Sequence, residues 1–120
     1  LSSFSLPKDA RLRKRAEFLK LSKHGRTIRT GAFIAAVLAG AGKNNRIGIT
    51  VSKKVGNAVA RNRIKRITRE YFRHQKASVP GVNDINIIAR KGLTSLSNRE
   101  IVEALDTLFS KIAQSGKAAR

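Results

Sequence analysis

The sequence predicts a small α/β (α+β) two-layer sandwich: one mixed sheet with helices packed on it, in the order α-β-β-α-β-α. Three observations predict it. Segments 32–39, 46–52 and 84–90 alternate their side chains as half-buried strands do. Segments 57–73 and 97–112 place apolar residues at helical spacing. The chain has 120 residues, no Cys and no internal repeat, which suits one domain with one core.

Taken in order, residues 1–6 are short and uncharged and are expected to form a loosely ordered arm. Arg13 to His24 reads as a helix with Phe18 and Leu21 on a narrow apolar edge, stopped by Gly25. Ala32 to Ala39 is a strand with Phe33, Ala35 and Val37 on one face and Ile34, Ala36 and Leu38 on the other. Gly40 to Asn45 is turn chemistry. Arg46 to Ser52 follows as a strand, with Ile47, Ile49 and Val51 opposite the small polar set Gly48, Thr50 and Ser52. These two strands are expected to pair as an antiparallel hairpin. A further short strand before the first helix, or near Arg29, is compatible with the pattern.

Gly56-Asn57 opens the next helix, because the Asn57 side-chain oxygen can accept from orphan amides of the first turn. Ala60, Ile64, Ile67 and Tyr71 form its expected apolar stripe. Pro80-Gly81 breaks the chain before the strand Asp84 to Arg90, with Ile85, Ile87 and Ala89 on one face. Ser97-Asn98-Arg99-Glu100 is a capping box for a helix whose core stripe is Ile101, Leu105, Leu108 and Ile112. The two longer helices are expected on one face of the sheet. Residues 114–120 are expected to be loosely ordered, and the whole chain, 1–120, to be one domain.

Charge narrows the function. Lys and Arg number 26 against 7 Asp and Glu, a formal net charge of +19. Such an excess repels itself and favours a polyanionic partner, nucleic acid or an anionic membrane. It is also concentrated, between Lys8 and Arg29 and again between Lys53 and Lys76, while Ser97 to Ile112 is acidic. The molecule is therefore expected to have a binding side and a back. No apolar run approaches a membrane span of about 20 residues, and no secretory leader is expected. The absence of Cys suits a reducing cytoplasm.

Protein side-chain catalysis finds no support. A Cys nucleophile is impossible, His24 and His74 lack a carboxylate pattern, and no metal-ligand motif occurs. Glu100, Glu103 and Asp106 read as a dipole-matched helix start and not as a cation site. Two basic features carry more. Lys53-Lys54-Val55-Gly56-Asn57 leads into a helix N-terminus, and reads equally as a phosphate site or as an ordinary strand-to-helix turn. Arg61-Asn62-Arg63, Lys65, Arg66 and Arg69 carry nearly uniform charge, where a merely solvated helix would alternate signs. Guanidinium forks suit phosphates, and Asn62 can meet a base edge or a ribose hydroxyl. Phe18, among Lys14, Arg15 and Lys20, reads either as a base-stacking platform or as a core residue.

The run Val51-Ser52-Lys53-Lys54-Val55-Gly56-Asn57-Ala58-Val59-Ala60-Arg61-Asn62-Arg63-Ile64-Lys65-Arg66 resembles the signature of the bacterial ribonuclease P protein subunit. Arg11-Leu12, Glu17-Phe18, Arg46-Ile47-Gly48 and Ile87-Ile88-Ala89-Arg90-Lys91-Gly92 are similar to further family positions. The resemblance extends from about Pro7 to Ile112. It implies a subunit of a ribonucleoprotein endoribonuclease whose catalytic component is RNA and which removes the 5′ leader of precursor tRNA. Mg²⁺ would act through the RNA component, with no protein metal motif and no protein catalytic residue. It also implies a left-handed βαβ crossover, against the general rule of handedness.

Carried onto this chain, the resemblance assigns RNA binding to Lys53, Lys54, Asn57, Arg61, Asn62, Arg63, Lys65, Arg66 and Arg69. It assigns a leader-binding cleft to Phe18, Ile34, Ala36, Thr50, Ser52 and Arg90. Ser22 and Ala36 stand where many relatives carry aromatics, so a weaker or more electrostatic grip on the leader is expected. The implied partners are the catalytic RNA and precursor tRNA, with a monomeric protein in one copy per RNA. A structural RNA-binding protein, such as a ribosomal protein, is the alternative that the composition suits equally.

Overall fold

The structure is a computed structural model, and it describes residues 10–40, 42–75 and 79–118. The expected arm at residues 1–6 lies outside the described residues. Seven regular elements follow one another: α1 (Arg15–His24), β1 (Arg26–Arg29), β2 (Phe33–Ala39), β3 (Arg46–Thr50), α2 (Ala58–Gln75), β4 (Asn83–Ala89) and α3 (Asn98–Ala118). A 3₁₀ turn, Leu93–Ser95, joins β4 to α3. β1 is the short strand near Arg29. The last helix continues through Ala118, beyond the point where a loose end is expected.

The sheet order is β1-β2-β4-β3. β2 pairs antiparallel with both β1 and β4, whereas β3 pairs parallel with β4. The expected β2–β3 hairpin is therefore absent: β4 lies between the two strands. The reason is that alternation states which face of a strand is buried, but not which strand lies beside it. β3 and β4 run the same way, and parallel neighbours need a crossover, which α2 supplies.

β2 is buried on both sides. Phe33, Ala35 and Val37 join Ile85, Ile87 and Ile47 in the main core, closed by Ile64 and Phe72 of α2 and Ile101, Leu105 and Leu108 of α3. Ala36 faces the other way, into a small cluster with Leu12, Leu21, Phe18 and Leu38. The two long helices thus share one face of the sheet, as expected, and α1 covers part of the other. On α2 the buried residues are Ile64, Thr68 and Phe72. Ile67 and Tyr71 pack only at the margin of the core. Thr68 tolerates full burial because its hydroxyl donates to the Ile64 carbonyl at 2.8 Å.

Both expected caps are present. The Ala60 amide donates to Asn57 Oδ1 at 2.9 Å. Ser97 and Glu100 exchange reciprocal bonds, Ser97 N to Glu100 Oε1 at 2.9 Å and Glu100 N to Ser97 Oγ at 3.1 Å. Gly25 stops α1, its amide donating to the Leu21 carbonyl at 2.9 Å, with φ −73°.

Candidate nucleic-acid interface

β3 is an edge strand, and its outer edge organises the basic surface. Residue 11 bridges Ile47 in parallel, and the Leu12 amide donates to the Ile47 carbonyl at 2.9 Å. This covers part of an edge that would otherwise offer unpaired backbone groups. Beside it opens a pocket of about 210 Å³ lined by Arg11, Leu12, Arg13, Phe18, Ile47, Gly48, Ile49, Lys65 and Arg69. Among the described residues no carboxylate lines it. Arg11, one of its lining residues, has a buried Nε with no hydrogen-bond partner among the described residues.

The sequence assigns Phe18 and the pair Lys65 and Arg69 to different surfaces, a leader cleft and a catalytic-RNA face. The structure brings all three to one pocket, because α2 reaches the edge of the sheet where α1 begins. Phe18 is half-buried and lies flat enough on β3 that a Cβ at Gly48 would meet its ring at 2.4 Å. Phe18 packs on the small cluster and also borders the pocket.

The remaining cleft residues divide. Ile34 is half-buried and Thr50, Ser52 and Arg90 are exposed, so these border the open part of the sheet. Ala36 is buried with Leu12 and Leu21, and forms floor under α1 instead of exposed surface. Thr50 Oγ1 donates to Asn86 Oδ1 at 3.1 Å, and Arg90 Nη1 donates to the Thr30 carbonyl at 2.9 Å.

The basic helix also divides. Lys53, Lys54, Asn57 and Asn62 are exposed, the lysines in a turn anchored by buried Val55. That turn leads to Gly56, whose backbone lies so close to Thr94 that a Cβ would come within 2.8 Å of Thr94 Cγ2. Arg61 Nη1 donates to the Gly56 carbonyl at 3.1 Å. Arg63 is committed to α3: Nε donates to Asn98 Oδ1 at 2.8 Å and Nη2 to the Leu96 carbonyl at 2.7 Å. Arg66 is exposed and lines a second cleft, of about 590 Å³, between α2 and α3.

Ion pairs show which cations are already engaged. Arg46 meets Glu17 at 2.7 Å and Asp84 at 2.8 Å. Burial opposes ionisation of Glu17. The amides of Lys14 and Arg13 and the Arg46 guanidinium outweigh it and hold the carboxyl below its ordinary 4.5. Glu70 pairs with Arg73 at 2.7 Å and meets His74 at 3.0 Å, so His74 has a carboxylate one turn away after all. Arg73 chiefly holds Glu70 below its ordinary 4.5; burial opposes it, and His74 adds a smaller lowering effect.

The acids of α3 have separate tasks. Glu100 closes the capping box, Glu103 lies 3.7 Å from Arg99, and Asp106 accepts from the Tyr71 hydroxyl at 2.6 Å. Among the described residues no three of His, Asp and Glu gather where they could hold a metal ion. No helix among the described residues is long and apolar enough to cross a membrane.

Arg11, Arg13 and Gly48 were absent from the sequence-derived site. Arg11 had a signal, its place in a family-like Arg11-Leu12 pair. Gly48 had another, a lone glycine within a strand pattern, which marks a close approach.

A family profile described as Ribonuclease P matches residues 6–113. The ribonuclease P protein component of Desulforapulum autotrophicum is 56% identical over 115 residues, covering 96% of this chain and 98% of that protein. That of Desulfatibacillum aliphaticivorans is 42% identical, covering 98% and 99%. Among solved structures, a mutant RNase P protein from Staphylococcus aureus with defective mRNA degradation activity superposes with a TM-score of 0.82. It is 35% identical, over 89% of this chain and 90% of that one. The RNase P protein from Thermotoga maritima gives a TM-score of 0.74 at 33% identity, over 83% and 96%. This chain belongs to the ribonuclease P protein component family.

Proposed function

We propose that this chain is the cytoplasmic protein cofactor of a ribonucleoprotein that removes the 5′ leader of precursor tRNA, with hydrolysis carried out by the RNA. The observation that carries the reading is the meeting of Phe18, Lys65 and Arg69 around one pocket that no carboxylate of the described residues lines. A single-stranded leader offers bases to stack on an aromatic ring and phosphates to pair with cations. The exposed residues Lys53, Lys54, Asn62 and Arg66 face the catalytic RNA, joined by Arg61 and Arg63 where their present bonds leave donors over. Asn57 serves this surface chiefly by capping α2, since its side-chain oxygen is occupied. Mg²⁺ belongs to the RNA, and the acids of the described residues serve instead in ion pairs, a helix cap and a tyrosine hydrogen bond. The protein contributes one monomer per RNA. Its role is electrostatic and positional: it neutralises phosphates and guides the leader.

The deciding experiment incubates precursor tRNA at low Mg²⁺ with the protein alone, with the catalytic RNA alone, and with both. Cleavage at the mature 5′ end that needs both components supports the reading. Cleavage by the protein alone would make it a nuclease in its own right. No stimulation, together with co-sedimentation on ribosomal subunits, would favour a structural RNA-binding role instead.

A further inference from the structure

We propose that Arg46 is a positioning residue for leader recognition: it clamps the start of α1 to the sheet and so seats Phe18 on Gly48. The proposal rests on the leader-binding reading above and names a residue outside the groove as a determinant of it. Arg46 opens β3 on the face that carries Gly48 and Thr50. Its Nη1 lies 2.7 Å from Glu17 Oε2, while Nε and Nη2 donate to Asp84 Oδ1 and Oδ2 at 2.9 and 2.8 Å. Glu17 Oε1 accepts from the Arg13 and Lys14 amides, each at 3.1 Å. One guanidinium therefore ties together the first turn of α1, the edge strand and β4.

The arrangement places two contacts side by side. Glu17 and Phe18 are consecutive on α1, and their partners Arg46 and Gly48 are one pleat apart on the same face of β3. The ion pair thus holds the helix at the turn that carries the ring. Little else does: Leu21 is the one fully buried residue of α1. A helix seated by one buried leucine and one half-buried ring can pivot, and a planar guanidinium with a two-point grip on Asp84 resists that pivot through directional bonds. Arg46 also has both ends of its guanidinium engaged by carboxylates, which leaves it a poor phosphate ligand and separates it from the cations of the pocket.

The test reads the ratio of affinities of the reconstituted holoenzyme for precursor and mature tRNA, with thermal melts of the free protein as a folding control. Arg46→Met should lower that ratio by about tenfold, toward the low end of what one base–aromatic stack supplies, while affinity for the catalytic RNA stays unchanged. In a double-mutant cycle with Phe18→Ala, the second substitution should lower the ratio no further, since both act through the same ring. An unchanged ratio in Arg46→Met, beside a lowered one in Phe18→Ala, overturns the proposal. Additive losses also overturn it, because they would make Arg46 a leader contact itself. If Arg46→Met does not fold, Glu17→Gln releases α1 while keeping the β3–β4 pair, and carries the same expectations. A wild-type protein without any preference for precursor would end the leader-binding reading, and this proposal with it.

Discussion

Phe18 lies so close to Gly48 that a Cβ at residue 48 would stand 2.4 Å from the ring's Cε1 and 2.7 Å from Cζ. The glycine is there for the ring and not for its backbone, since φ at Gly48 is ordinary. Gly48→Ala should push Phe18 off the strand and destabilise the fold by roughly 1–3 kcal/mol, the usual cost of overpacking. Urea denaturation measures that loss. Binding of precursor tRNA should fall relative to mature tRNA, with assembly on the catalytic RNA retained.

Arg63 and Arg66 look equivalent in sequence and are not equivalent in the fold. Arg63 bonds Asn98 and the Leu96 carbonyl, whereas Arg66 is exposed. Arg63→Ala should therefore lower stability by about 1–3 kcal/mol, the scale of bonds to a charged group, besides weakening RNA binding. Arg66→Ala should leave the melting curve unchanged. It should weaken RNA binding and reduce the slope of log K against log salt by about 1, the share of one phosphate contact. Equal melting curves for the two variants would contradict this division.

Glu17 ionises below its ordinary 4.5 in the folded protein. A lowered folded pKa means the unfolded chain binds the proton more readily. The stabilisation is then fully present above 4.5 and is lost as pH falls through the folded value. Denaturation of the wild type and Glu17→Gln across acidic pH should show a stability gap that is constant near neutrality and closes below 4.5. A gap independent of pH would mean that the Glu17 charge is not what matters.

Tyr71, the sole tyrosine of the chain, is desolvated against Phe109 and donates to Asp106 at 2.6 Å. Burial first, and then the Asp106 carboxylate, push its hydroxyl well above the ordinary 10.0. Its contribution to stability is present below 10.0 and is lost as pH rises through the folded value. Phenolate absorbance should thus appear at higher pH in the folded protein than in urea. Tyr71→Phe should cost about 1 kcal/mol, the net worth of one hydrogen bond.

Much of this was legible in the chain because it is local. Asn57 and the Ser97–Glu100 box announce helix starts by residue type alone, and both make the expected bonds. Ile47, Ile85 and Ile87 are core by alternation, and all three are buried. The stripe on α2 was read less well. Thr68 does not look like a core residue until its hydroxyl is seen bonded to Ile64, and Phe72 follows from Thr68 by one turn. The pairing of β2 was misread because nothing in Phe33 to Ala39 encodes its neighbour. The groove is legible in part: Phe18 stands out among its basic neighbours, but uniform charge and the family resemblance group Lys65 and Arg69 with Arg66.

By itself the sequence determined what repeats over a few residues: the positions and buried faces of the strands, the helix caps, and the sign and clustering of the charge. These depend on side-chain period and composition, which a single segment carries. Only the tertiary structure decided that β4 lies between β2 and β3, that Lys65 and Arg69 share a pocket with Phe18, and that Arg46 and Arg63 are held by the fold. Those outcomes depend on contacts between distant segments, whose geometry no local pattern contains. The basic helix is thus two surfaces: Arg66 and Asn62 point outward, and Lys65 and Arg69 turn toward the ring that Arg46 holds in place.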